Sequence, residues 1–139
     1  MRIAVRYYTK SGNTEKLAKA IAEAVGVEAQ NISVALNEKV DLLFLGNSVY
    51  AAGVDEEVKR FIHKNAEKIG KLVNFGTAAI ISSTYKQVKR EAESISVPVA
   101  EEEFHCRGSF SILHKNRPNE QDVADAAAFA KAVVERYSD

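Results

Sequence analysis

Six consecutive residues, Thr9-Lys10-Ser11-Gly12-Asn13-Thr14, carry the strongest chemical signal in the sequence. Three of them are hydroxylic and one is a glycine, a composition suited to holding an anion. The first turn of a helix presents unpaired N–H groups and partial positive charge, so a phosphate seated there gains donors without needing a cationic side chain. Gly12 permits close backbone approach, while Thr9, Ser11 and Thr14 offer hydroxyl donors. The same residues also read as a polar turn with an N-cap, and composition alone leaves both readings open.

Such a turn works only at a strand-to-helix junction, and the flanking periodicity supplies one. Ile3, Val5 and Tyr7 alternate as a strand before it. From about Thr14, Leu17, Ile21, Ala24 and Val25 share a helical face that Gly26 is placed to stop. The pattern then repeats. Ala29 to Val34 reads as a short strand, and Asp41 to Leu45 as a strand covered on both faces and closed by Gly46. Asp55 caps a helix whose Val58, Phe61, Ile62 and Ile69 share a face, ending at Gly70. Thr77 to Ile81 is the expected fourth strand. Thr84 and Gln87 form a capping-box signature ahead of Val88, Ala92 and Ile95. Glu102 to Cys106 is the expected fifth strand, and Asn119 caps a last helix with Val123, Ala127, Ala130, Val134 and Tyr137 on one face. Arg107 to Pro118 remains unassigned. Alternating strands and helices of this kind build a parallel sheet.

The 139 residues fit one domain, 1–139, with 46% apolar residues for a core. Nineteen basic and 19 acidic side chains give zero formal charge, against the basic excess of a nucleic-acid-binding module. Cys106 is the only cysteine, which excludes an intramolecular disulfide and a four-cysteine zinc site. With no signal-peptide stretch and no apolar run long enough to span a bilayer, a cytoplasmic location is expected.

The segment Thr9 to Thr14 resembles the Thr/Ser-x-Thr/Ser-Gly-x-Thr phosphate loop of flavodoxins, and its place after the first strand matches as well. Gly46-Asn47-Ser48-Val49-Tyr50-Ala51-Ala52-Gly53 is similar to the family's second loop, and Ser82-Ser83-Thr84-Tyr85 lies where its third belongs. The likeness covers nearly the whole chain. It implies a three-layer αβα sandwich around a five-stranded parallel sheet in order 2-1-3-4-5, with FMN at the switch point between the first and third strands. Thr9, Lys10, Ser11, Gly12, Asn13 and Thr14 would hold the FMN phosphate. Ser48, Val49, Tyr50, Ala51, Ala52 and Gly53 on one side, and Ser82, Ser83, Thr84 and Tyr85 on the other, would bracket the flavin ring. The activity implied is electron transfer with no side chain acting as acid, base or nucleophile, and redox partner proteins would bind transiently. A monomer or weak dimer, free of nucleic acid and membrane, completes this expectation.

Some residues depart from the family pattern. Ala51 and Ala52 follow Tyr50 where many flavodoxins carry glycine, and alanine at a positive-φ turn position costs on the order of 1 kcal/mol. The resemblance then implies weaker stabilisation of the one-electron-reduced flavin. Zero net charge implies weak long-range steering towards partners. Asp55-Glu56-Glu57 reads as a helix N-terminus or as a small acidic rim. With no tryptophan, Tyr50 and Tyr85 are the stacking candidates. Arg6 lies in a strand that should be buried and needs an acidic or carbonyl partner. His105 and Cys106 are strand neighbours facing opposite sides, which disfavours joint catalysis, and His63 and His114 have no partner at metal-ligand spacing. Two other functions remain open: an NAD(P)H-dependent quinone or flavin reductase of the same fold, and a cofactor-free interaction module. A response-regulator receiver needs an acidic pair where this chain has Tyr7, Tyr8 and Thr9.

Overall fold

The computed structural model describes residues 1–49, 53–78, 83–108 and 116–138. Along the chain run β1 (Ile3–Tyr7), α1 (Asn13–Val25), β2 (Ala29–Asn31), β3 (Leu42–Val49), α2 (Glu56–Asn65), a 3-10 turn (Ala66–Lys68), β4 (Leu72–Ala78), α3 (Tyr85–Glu93), β5 (Val99–Arg107) and α4 (Glu120–Tyr137). All strand pairs are parallel and their order is β2-β1-β3-β4-β5, the order the resemblance implies.

Side-chain alternation along the strands divides the core into two layers. Val5, Phe44, Val73 and Phe75 pack against α1 and α4, meeting Leu17, Ile21, Ala126 and Ala130. Ala4, Leu43, Leu45 and Leu72 face the other way, onto Val58, Phe61 and Ile62 of α2 and Val88 and Ala92 of α3. The apolar run of β3 is continuous because both of its faces are covered.

Several elements differ from their sequence-based bounds, each for a visible reason. The third strand does not close at Gly46. Gly46 pairs with Tyr7 and Phe75, and a Cβ there would lie 2.4 Å from the Phe75 ring, so glycine is what lets that ring into the ladder. The fourth strand starts at Leu72 rather than Thr77, since Asn74 and Gly76 interrupt the apolar pattern without interrupting the pairing. The fifth strand extends beyond Glu102 to Cys106 because β5 is an edge, where charged side chains reach solvent. The second stops at Asn31, whose side chain accepts from Ser33 N at 2.9 Å and whose carbonyl accepts from Val34 N at 3.0 Å, turning the chain. In α4 the fully buried stripe is Asp122, Ala126, Ala130 and Val133, rotated from the expected one, with Val123, Ala127, Val134 and Tyr137 half-buried beside it.

The caps at Gly26, Asp55 and Asn119 are those expected, and Asn119 forms a full capping box with Asp122. The box expected from Thr84 and Gln87 does not form. Thr84 Oγ1 accepts from Asn74 Nδ2 at 3.0 Å, and Gln87 Oε1 accepts from Val54 N at 2.8 Å. Both side chains tie elements together, and Ser83 Oγ accepts from Tyr85 N in their place.

The connection from β2 to β3, residues 32–41, contains no helix. Leu36 and Val40 still plug the core from it. Side chains satisfy its backbone: Arg6 Nε donates to Val34 O at 2.8 Å and Arg6 Nη2 to Ala35 O at 3.3 Å. Asn65 Oδ1 accepts from Leu36 N at 3.0 Å, and Lys68 Nζ donates to Leu36 O at 2.9 Å. Arg6 thus finds carbonyl partners and serves the crossover.

Candidate functional site

At the carboxyl end of β1 the chain makes the turn 9–14. Gly12 adopts φ 89°, the left-handed conformation, and forms the N-cap of α1 with no side-chain cap bond. Three successive N–H groups turn inward. Ser11 N and Gly12 N donate to Thr9 Oγ1 at 3.3 and 3.1 Å, and Asn13 N to Ser11 Oγ at 3.4 Å. A left-handed residue followed by helical ones makes such a concavity, which suits an oxyanion. Here hydroxyl oxygens of the chain itself occupy acceptor positions that phosphate oxygens would take. A Cβ at Gly12 would meet nothing within 4 Å, so the glycine is required by its φ and the space beside it is open.

Thr14 behaves differently from Thr9 and Ser11. Its hydroxyl is fully buried, bonded to Asn47 O at 3.1 Å, Ser48 Oγ at 2.7 Å and Thr77 Oγ1 at 3.0 Å. It fastens the helix start to β3 and β4 instead of opening towards the turn's mouth. Asn13 is also buried, with its amide beside Gly108 at the end of β5.

Val49 pairs with Ala78, and Ala78 with Arg107, so the carboxyl ends of β3, β4 and β5 lie level beside the switch point between β1 and β3. Tyr50, Ala51, Ala52 and Ser82 lie outside the described residues, as does His114. Ser48 is buried in the hydroxyl cluster with Thr14 and Thr77. Gly53 has φ 112° and abuts Gln87, where its Cβ would lie 2.6 Å from Oε1. Lys10 Nζ sits 3.6 Å from Asp55 Oδ2, joining the first turn to the α2 cap. Beneath them, Asn47 Nδ2 donates to Asn74 Oδ1 at 2.8 Å and Asn74 in turn to Thr84, an amide ladder linking β3, β4 and α3. Asn47 Oδ1 is buried with no hydrogen-bond partner among the described residues.

Ser83 and Tyr85 do not behave alike. Ser83 Oγ donates to Glu103 Oε1 at 2.7 Å, and Glu103 Oε2 also meets His105 Nδ1 at 2.9 Å. Tyr85 Oη donates to Ala100 O at 3.0 Å. Ala100 lies near the amino end of β5, so the side chain of Tyr85 reaches along the edge strand towards that end. Its position is that of a packing residue. Sequence reasoning gave Asn47, Asn74 and Thr77 no site role and Gln87 only a capping one; for the three strand residues the available signal was polar side chains inside apolar strands.

The remaining reactive groups lie elsewhere. Cys106 is buried in the α1 and α4 layer while His105 is exposed on the opposite face. Burial, reinforced by Asp122, pushes the Cys106 thiol up to about 12. Burial opposes ionisation of Asp122, yet the two-pronged bond from Arg117, at 2.5 and 2.8 Å, holds its carboxyl below the ordinary range. His63 pairs with Glu91 between α2 and α3. Among the described residues, no group of three His, Cys, Asp or Glu could hold a metal, and no helix is long and apolar enough to cross a membrane.

The family profile described as Flavodoxin domain matches residues 4–106. The chain belongs to that family. An uncharacterized protein of Methanocaldococcus jannaschii is 30% identical, over 88% of this chain and 90% of the relative. Among solved structures, a flavodoxin from the domain Archaea superposes with a TM-score of 0.80 at 15% identity, covering 98% of each chain. Oxidised Flavodoxin 1 from Bacillus cereus does so at 0.74 and 18% identity, covering 99% of this chain and 100% of that one. At these identities the likeness is one of fold, and the flavodoxin fold of this chain is the one its strand order shows.

Proposed function

We propose that this flavodoxin-family chain binds FMN and carries electrons between redox partner proteins. The observation supporting this most strongly is the turn 9–14, where N–H groups of Ser11, Gly12 and Asn13 converge on hydroxyl oxygens at the start of α1. The residues present fit a phosphate: the donors are backbone groups preset by Gly12, and exchanging a hydroxyl oxygen for a phosphate oxygen needs only side-chain rotation of Thr9 and Ser11. When bound, FMN supplies one- and two-electron chemistry.

The chain's own work is to bind and to orient. The turn anchors the phosphate, and the residues that follow β3 and β4 serve the ring. The Thr14–Ser48–Thr77 cluster fastens the start of α1 to β3 and β4, and the Asn47–Asn74–Thr84 ladder fastens the start of α3 to the same strands.

The test is the visible spectrum of the protein purified without added flavin, followed by denaturation and chromatography of whatever is released. A yellow protein releasing stoichiometric FMN supports the reading. A colourless protein that does not take up added FMN contradicts it and favours a cofactor-free interaction module. Sustained NADPH oxidation with a quinone by the protein alone favours the reductase.

A further inference from the structure

The helix-less crossover leaves the flank of α2 uncovered, and between them lies a cleft of about 650 Å³ that is separate from the turn 9–14. Its size is that of small-molecule sites, roughly 300–1,000 Å³. The half-buried side chains of Tyr8 and Ile32 form an apolar, partly aromatic floor with Phe61 beneath. One wall carries Arg60, Lys64 and Lys68, which four-residue steps along α2 and the 3-10 turn place on one side over about 12 Å.

Charge on that wall is unbalanced. Glu57, paired with Arg60 at 3.1 Å, is the one acid lining the cleft among the described residues. Lys68 is fixed by its bond to Leu36 O, and Lys64 has no ion-pair or hydrogen-bond partner among the described residues. In a chain of zero net charge, three cations around one concavity make a local field that attracts anions. A partly aromatic floor beside a row of cations calls for a ligand that joins an aromatic body to an anionic group.

We propose that this cleft binds a nucleoside phosphate, with the base over Tyr8 and Ile32 and the phosphate between Arg60 and Lys64. Arginine supplies a planar fork for phosphate oxygens and lysine a mobile point charge. Tyr8 directly precedes Thr9, so the occupant lies alongside the turn without using it. The inference does not rest on flavin binding.

The experiment titrates adenosine monophosphate into the isotope-labelled full chain given one equivalent of FMN and no excess, following backbone amides by NMR. The expected result is saturable shifts at Tyr8, Ile32, Ser33, Arg60 and Lys64, with affinity falling at least about tenfold in Lys64→Glu. Lys64 is exposed and bonded to nothing described, so that variant keeps its fold, which the same spectra verify. No saturation up to about 10 mM, shifts confined to residues 9–14, or an unchanged affinity in Lys64→Glu would each overturn the proposal. Cleft shifts in a protein that ignores FMN would instead refute the flavin reading and leave this one standing.

Discussion

Arg6 Nε donates to the carbonyl of Val34 at 2.8 Å, so a guanidinium on the central part of the sheet replaces the hydrogen bonding that a crossover helix would have provided for itself. Arg6 is 7% exposed and its bonds go to the carbonyls of Val5, Val34 and Ala35. Burial lowers its pKa, yet arginine stays charged at any ordinary pH. Replacing Arg6 with Leu strands the Val34 and Ala35 carbonyls. A loss of about 2 kcal/mol is expected in urea unfolding, and an unchanged midpoint would show that the crossover holds without it.

The two threonines of the turn should separate by function. Thr14→Val removes a hydroxyl that Ser48, Thr77 and Asn47 O all meet, so unfolding free energy should drop by about 1–2 kcal/mol. Thr9→Val should leave stability within about 0.5 kcal/mol and weaken FMN binding instead. Equal effects on stability from both would place Thr9 in the same structural role as Thr14.

Glycines at the site differ in the reason they are glycines. A Cβ at Gly76 would lie 2.4 Å from the backbone carbonyl of Asn47, which cannot move aside, so Gly76→Ala is expected to cost about 3 kcal/mol. Gly12→Ala meets no atom and pays only for its positive φ, about 1 kcal/mol. Thermal unfolding of the two variants side by side checks the ranking, and a reversed order would contradict the geometry.

These glycines also show what the sequence made legible. Caps at Gly26, Asp55 and Asn119 act within one turn of the chain, so local patterns reveal them. Gly46 and Asn74 read as strand breakers because their reasons, the Phe75 ring and the Asn47 amide, lie about thirty residues away. Thr84 and Gln87 look like a local box but are taken by Asn74 and Val54 from other elements. Within the site, the turn 9–14 was legible because a helix N-terminus and a glycine are local signals. The inward course of Thr14 and the descent of Tyr85 onto β5 depend on tertiary neighbours, which no local spacing encodes.

Asp122 gives the molecule an acid-sensitive joint. Its carboxyl titrates below its unfolded value because Arg117 and the Asn119 backbone bond it, so its contribution to stability is present above the unfolded pKa of about 3.9 and fades as pH falls through the lower folded value. Asp122→Asn should lower stability at neutral pH by the contribution the carboxylate makes there and flatten the acid limb of a stability-against-pH curve; an acid limb as steep as that of the unchanged protein would contradict this. The neighbouring thiol offers a companion reading: Cys106 should resist alkylation at pH 8 in the folded protein and react once it is unfolded.

The central claim, that the turn 9–14 is a phosphate site, is tested most directly by comparing FMN with riboflavin, which has the same ring and no phosphate. Titration of flavin-free protein by fluorescence quenching should give FMN an affinity at least about 100-fold above riboflavin, a difference that shrinks in Thr9→Val. Equal affinities, or no binding of either flavin, would contradict the account.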